Sequence, residues 1–236
     1  MVNVIYRLSD NGYNKVKYPH ATKLHCLENC LKHFDANTVY MFVDNTNLVT
    51  KTRNDVDYIN ESEFFGNLEY YTAGSSAASF RHVFDFALDN FKDDDIVYFV
   101  EDDYLHKTHS AKLIVEGLQI ANYVSLYDHN DKYIPASHGG NPFIEDDGGE
   151  ITKVYKTKST HWKLTNSTTM TFACTIRQLL TDFAIWRKHT EGSHPNDFQC
   201  FLELRDNGRS LITTLPGYST HCEPQWASPL TDWNLI

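Results

Sequence analysis

Residues 95–106 read DIVYFVEDDYLH. Five apolar residues, Ile96, Val97, Tyr98, Phe99 and Val100, run without a break and stop at three acids, Glu101, Asp102 and Asp103. A short continuous apolar run bounded by polar residues fits a strand buried on both faces. The acids fall where that strand leaves the core. Three carboxylates at one point are either solvated turn residues or face something positive.

Working back toward the N-terminus, residues 2–8 predict another strand, followed by a polar loop over residues 9–20. Leu24, Leu27, Cys30, Leu31 and Phe34 recur at spacings of three and four, which predicts a helix over 21–34. Residues 38–43 predict a second strand that ends at Asp44-Asn45. Residues 68–71 lead into Thr72-Ala73-Gly74-Ser75-Ser76. A helix over 77–90 follows, with Phe80, Val83, Phe84, Ala87 and Leu88 on one face. With the quoted stretch as the fourth strand, the order is that of an α/β fold with a mostly parallel central sheet and helices on both faces. In such sheets ligands sit at the carboxyl ends of the strands. Those ends are residues 7–10, 44–45, 72–76 and 101–103.

Beyond Asp103 the sequence predicts a helix over 113–121, a short strand over 123–126 and a strand over 168–174. Helices over 177–187 and 198–206, a last strand over 211–215 and an aromatic tail complete the chain. On the helix at 177–187, Leu179, Leu180, Phe183 and Trp186 mark one side. Residues 127–158 are polar with two Gly-Gly pairs. Tyr133, Ile134, Phe143, Ile144, Val154 and Tyr155 recur there, which predicts ordered loops or a hairpin rather than a linker.

The chain has 236 residues, 41% of them hydrophobic, enough for one core and one domain. Its net charge of −10, with no basic block, argues against a nucleic-acid partner. The five cysteines are scattered and form no zinc pattern, so they read as small buried residues in a reducing compartment. No leader-like start and no apolar run of membrane-spanning length are present, which predicts a cytoplasmic protein without a transmembrane segment. Aromatic residues reach 14%, and some are expected to line a cleft.

Glu101-Asp102-Asp103 is a dense patch of hard oxygen ligands. Magnesium and manganese take one or two such carboxylates and complete their shell with phosphate and water. In this position the stretch resembles the acidic strand-end motif, Asp-x-Asp or a variant, of the GT-A-type, family-2-like nucleotide-sugar glycosyltransferases. The resemblance covers most of the chain in element order. It implies a GT-A-like α/β/α sandwich whose nucleotide-binding half spans about residues 1–105 and whose acceptor-binding half spans about 106–236. It implies Asp103 and His221, in "GYSTHCEPQW", as ligands of Mn2+ or Mg2+, with Glu101 and Asp102 on ribose hydroxyls or metal-bound water. Asp44 would meet the nucleobase or ribose. Gly74 and Ser75 would offer backbone N–H groups with Arg81 a turn further on, and Arg7, Ser9, Lys15 and Lys17 of the first loop would face the diphosphate.

Asp197, in "GSHPNDFQCFLEL", stands where inverting members of that family carry the base that deprotonates the acceptor hydroxyl. A plain helix-capping acid would look the same. The segment 127–162, with His138 and Trp162, is expected to recognise sugar and acceptor. Tyr218, Trp226 and Trp233 would form a cleft wall or a packed tail. The implied activity is a hexosyltransferase-like transfer from a nucleoside-diphosphate sugar, of UDP type or similar, to a glycan or other hydroxyl acceptor in polysaccharide biosynthesis. Two alternatives stand beside it. One is a sugar nucleotidyltransferase of related fold, against which the single glycine of "YRLSDNGYNKVK" counts. The other is a non-catalytic carbohydrate-binding protein.

Overall fold

The computed structural model describes residues 1–9, 16–44 and 67–236. Lys15 and Asn45 lie outside the described residues.

The first strand, β1 (Val2–Ser9), is flanked on one side by β2 (Val39–Asp44) and β3 (Leu68–Tyr70) and on the other by β4 (Ile96–Glu101). All four are parallel, and the register sets Ser9 beside Asp44 and Arg7 beside Glu101 at one edge of the sheet. Side chains alternate across it: Val4, Tyr6, Leu8, Tyr98 and Val100 pack on one face, Ile5, Val97 and Phe99 on the other. Both faces are covered, which is why β4 is apolar at every position until the core ends.

Among the described residues two helices make crossovers, one from β1 to β2 and one from β3 to β4. In α1 (Lys23–His33) Leu27 and Cys30 join the first face; in α2 (Ser76–Asn90) Phe80, Val83, Phe84 and Ala87 join the second. Thr22 and Ser75 cap them, their hydroxyls accepting from the N–H groups of His25 and Ala78. This is the α/β/α layering predicted from the alternation.

The rest of the chain extends the same sheet. After β5 (Tyr104–His106) and α3 (Ser110–Gly117) come β6 (Tyr123–Ser125), β7 (Val154–Lys156), β8 (His161–Leu164) and β9 (Phe172–Thr175). Then follow α4 (Ile176–Thr181), α5 (Phe183–His189), α6 (Asp197–Asp206), β10 (Leu211–Leu215) and β11 (Ser219–His221). Among the described residues the sheet has nine strands, in the order β3-β2-β1-β4-β9-β6-β10-β8-β7. Only β9 and β8 run against the others, so the sheet is mostly parallel. β5 and β11 form a separate two-stranded sheet with Tyr104 opposite His221. No helix among the described residues is long and apolar enough to cross a membrane.

Several expectations are corrected. The segment expected as one helix over 177–187 is two, broken at Asp182. Its buried carboxylate accepts from Tyr123 Oη at 2.8 Å and from Arg209 Nε at 2.9 Å. Leu179 and Trp186 are buried there, but Leu180 and Phe183 are exposed, so the apolar side is narrower than the spacing implied. The strand expected over 168–174 begins only at Phe172. The helix expected over 113–121 starts three residues earlier and ends at Gly117. β5, β8 and β11 were not anticipated, being three or four residues long with no apolar run. Much of the aromatic content is core: Phe172 stacks on Trp186 at 4.7 Å, and Phe80, Phe99 and Phe201 close around them. Trp162, expected near the acceptor, is fully buried, its indole Nε1 donating to Thr157. Trp233 is buried too, so the C-terminal segment is a packed tail. His138 is exposed.

Candidate active site

The parallel register brings β1 and β4 out of the core side by side, and the three acids each meet a different cation there. Arg7 Nη2 donates to Glu101 Oε1 at 2.6 Å, while its Nη1 donates to the Ser76 carbonyl at 3.0 Å. Arg7 was expected in the loop; it lies within β1 and ties the end of β4 to the start of α2. Asp102 accepts from the Ser9 N–H at 3.0 Å and lies 3.7 Å from Lys23 Nζ, which also donates to the Ser9 carbonyl. Asp103 Oδ2 lies 3.0 Å from Lys17 Nζ and 3.0 Å from His221 Nε2.

Backbone pairing holds this last group together. The Cys222 N–H donates to the Asp103 carbonyl at 2.9 Å, and the Cys222 carbonyl accepts from the Tyr18 N–H at 3.0 Å. The backbone of one tail residue thus joins the segment carrying Lys17 to the last acid of the strand-end motif. A small core of Ala21, Cys26, Leu105, Cys222, Ala227 and Trp233 lies beneath. All five cysteines are buried free thiols, as their scatter predicted.

The electrostatics follow from burial and pairing. Burial disfavours the Asp103 carboxylate, but His221 and Lys17 more than offset it and hold its pKa well below the usual range. Burial likewise works against His221 and Lys17, yet the neighbouring acids, Asp103 first, raise both. Glu101 is raised by burial against the pull of Arg7, with Asp103 adding repulsion. Asp102 is raised by burial and by Asp103, opposed by Lys23 and Lys17.

Asp197 is the first residue of α6, whose Cys200, Phe201 and Leu204 pack into the second face of the core. The Ser193 carbonyl just before it accepts from the Ala77 N–H, fastening this turn to the start of α2. The Asp197 carboxylate accepts from the Phe198 N–H at 2.8 Å, and its charge is felt by Glu101. Burial pushes its pKa up to about 6, against the helix amide and Lys132, with Asp131 adding to the rise. A carboxyl with that pKa is ionised at neutral pH and basic enough to take a proton.

No protein-family model and no curated protein matches the chain. Solved structures do. The 2-C-methyl-D-erythritol 4-phosphate cytidylyltransferase of Francisella tularensis is similar over 99% of this chain and 96% of its own, at 13% identity and a TM-score of 0.49. The galactosyltransferase LgtC, crystallised with donor and acceptor sugar analogues, is similar over 90% of this chain and 73% of its own, at 10% identity and a TM-score of 0.45. The bifunctional glycosyltransferase WbbM is similar over 91% of this chain and 38% of its own, at 15% identity and a TM-score of 0.47. Likenesses this distant leave the assignment of function to the geometry of the site.

The remaining predicted residues have definite places. Asp44 is buried, and its Oδ1 accepts from the Ala73 N–H at 2.9 Å, so it shapes the loop before α2. Gly74 takes φ +83°, a conformation that favours glycine, and sets up the Ser75 cap. Arg81 is half-buried, and its Nη1 is buried without a hydrogen-bond partner among the described residues.

For a divalent ion the donor set is a carboxylate and an imidazole, Asp103 and His221, already facing each other. Among the described residues no group of three or more His, Cys, Asp or Glu is arranged to hold an ion by itself. Two protein donors fit an ion that takes its other ligands from phosphate and water.

Sequence reasoning missed Lys23 and a buried polar network in the 127–167 region. Lys163 Nζ lies 2.8 Å from Asp128 Oδ1 and 3.5 Å from Glu150 Oε2, and donates to Tyr133 Oη at 3.1 Å. Lys132 Nζ donates to Ser167 Oγ at 2.8 Å beside Asp131, whose carboxylate also accepts from Asn141. Nothing in the sequence marks these two lysines as buried; ordinary polar loops carry the same residues.

Proposed function

We propose that the protein is a divalent-metal-dependent glycosyltransferase that moves a sugar from a nucleoside diphosphate to a hydroxyl acceptor with inversion. The observation that carries this reading is the pairing of two chemistries at one sheet edge. The Asp103–His221 pair suits a metal, and the turn before Asp197, whose pKa is pushed up to about 6, is fastened through the Ser193 carbonyl to Ala77, next to the Ser76 carbonyl that holds Arg7 at the same edge.

Asp103 and His221 would hold Mn2+ or Mg2+, which supplies neutralisation of the diphosphate as the bond to the sugar breaks. The chain's own residues do the rest. Asp197 accepts the acceptor hydroxyl's proton as that oxygen forms its bond to the anomeric carbon, and the nucleoside diphosphate departs with the electrons of the broken bond. One displacement gives one inversion. Arg81, with its unpartnered Nη1, suits an anionic group of the donor. Gly74, Ser75, Ser9 and Asp44 belong to the nucleotide side of the same edge. Glu101 and Asp102 fix Arg7 and Lys23 in place. The 127–167 network lies on the Lys132 side of Asp197, where the acceptor would approach.

A thermal-shift panel of nucleoside diphosphates and nucleotide sugars, with and without Mn2+, tests the reading, since a ligand of the folded state stabilises it by mass action. Metal-dependent stabilisation by nucleotide sugars supports it. Stabilisation by a nucleoside triphosphate with turnover of a sugar phosphate would favour a nucleotidyltransferase. Stabilisation by free glycan alone would favour a binding protein.

A further inference from the structure

Lys17 stands where a cation is needed when no metal is there. Its Nζ is 3.0 Å from Asp103 Oδ2, the same oxygen that faces His221 Nε2 at 3.0 Å. The contact is built in rather than a chance reach of a long side chain. The residue after Lys17 is fastened to the Cys222 carbonyl, and the Cys222 N–H is fastened to the Asp103 carbonyl. Lys17 keeps 24% of its side chain exposed and Asp103 keeps 12%, so of the two partners the ammonium has more solvent to move into. Arg7 and Lys23 occupy the other two acids, Glu101 and Asp102, and among the described residues Lys17 is the lysine that meets Asp103, beside the His221 imidazole.

We propose that Lys17 is a tethered counter-ion of the metal site. It neutralises Asp103 in the resting protein and yields that oxygen to the incoming divalent cation. Its freed ammonium then turns to the negative charge that arrives with the metal, the diphosphate of the donor. Two unit charges in contact at this depth interact far more strongly than in water. An ion entering at Asp103 must therefore displace a partner as well as shed water. The device keeps a buried carboxylate paired at every stage and couples metal binding to donor binding. This inference rests on the metal-dependent reading above.

The test reads metal binding directly. Mn2+ titrations followed by electron paramagnetic resonance compare the wild type with Lys17→Met and with Lys23→Met, which removes the same charge from the neighbouring Asp102. Lys17→Met is expected to bind Mn2+ about tenfold tighter than wild type, and Lys23→Met to gain clearly less. Equal gains in the two variants would reduce the effect to net charge and overturn the proposal, as would unchanged or weaker binding in Lys17→Met. Should Lys17→Met fold poorly, acetylation of Lys17 in the wild type, followed by mass spectrometry, replaces it. The rate should rise on adding Mn2+, and an unchanged rate overturns the proposal. Wild-type protein that binds Mn2+ while Lys17 stays indifferent defeats this inference alone; wild type and variants that all fail to bind Mn2+ defeat the metal reading and the inference with it.

Discussion

His221 Nε2 sits 3.0 Å from Asp103 Oδ2, although 118 positions separate the two residues. The pairing of Tyr104 with His221 in the small β5–β11 sheet creates this contact. It makes a carboxylate–imidazole pair at the exposed end of the main sheet. Replacing His221 by Ala should weaken Mn2+ binding by about tenfold or more. Nucleotide affinity measured without metal should change much less. Calorimetric titration with each ligand in turn separates the two.

Asp197 should govern the acid limb of the pH–rate profile. Its carboxyl is raised to about 6 by burial, with Asp131 adding and Lys132 and the helix amide opposing. Turnover should therefore fall as pH drops through about 6, where the base becomes protonated. Asp197→Asn should lower kcat by about 10²- to 10⁴-fold with little change in the donor KM, and that limb should vanish.

The same shift has a consequence for stability with the opposite sign. A carboxyl whose folded-state pKa is raised favours the folded state fully below its unfolded value, about 3.9. That contribution is lost as pH rises through about 6. At pH 7–8 the ionised Asp197 is a burden on the fold, so Asp197→Asn should melt higher than wild type there. The difference should shrink toward pH 5, as thermal melts across pH would show.

Lys163 should be a stability residue of the second half of the chain. Its ammonium and the Asp128 carboxylate are 3% and 2% exposed and 2.8 Å apart, with Glu150 at 3.5 Å. Burial opposes its charge, but Asp128 and its neighbours keep its pKa raised. Lys163→Met leaves two buried acids without their cation and should cost about 3–5 kcal/mol, read from urea unfolding midpoints.

Gly117 ends α3 where no side chain fits. A Cβ there would lie 2.7 Å from Val124 Cγ2 and 2.8 Å from Trp162 Cη2. Gly117→Ala should destabilise the fold by about 1–3 kcal/mol in the same unfolding assay while leaving Mn2+ affinity unchanged.

The layering was legible in the sequence because both faces of β1, β2 and β4 are covered, and a doubly buried strand must be apolar throughout. The helices α1, α2 and α6 were legible from their three-and-four spacing. What escaped detection was short or polar. β5, β8 and β11 carry too few residues for a period to show, and the break at Asp182 is made by partners, Tyr123 and Arg209, distant in the chain. At the site, the residue types at 103, 197 and 221 pointed to chemistry, and the resemblance set Asp103 and His221 on one metal, but the cations that meet the three acids did not show. The cations on Glu101, Asp102 and Asp103 come from β1, α1 and the segment before α1; the parallel register sets Arg7 there, the Ser9 carbonyl holds Lys23, and the Cys222 backbone fastens the segment carrying Lys17. Lys132 and Lys163 were invisible because burial, not residue type, makes them unusual.

Metal-dependent release of a nucleoside diphosphate from a nucleotide sugar tests the central claim most directly. Wild-type protein, Asp103→Asn and Asp197→Asn would each be incubated with a donor panel and Mn2+, and the released nucleotide quantified. The account predicts release by the wild type with at least one donor, abolished by chelation and by Asp103→Asn, with transfer to acceptor lost in Asp197→Asn. Release that persists undiminished in Asp103→Asn, or in the presence of a chelator, would contradict it.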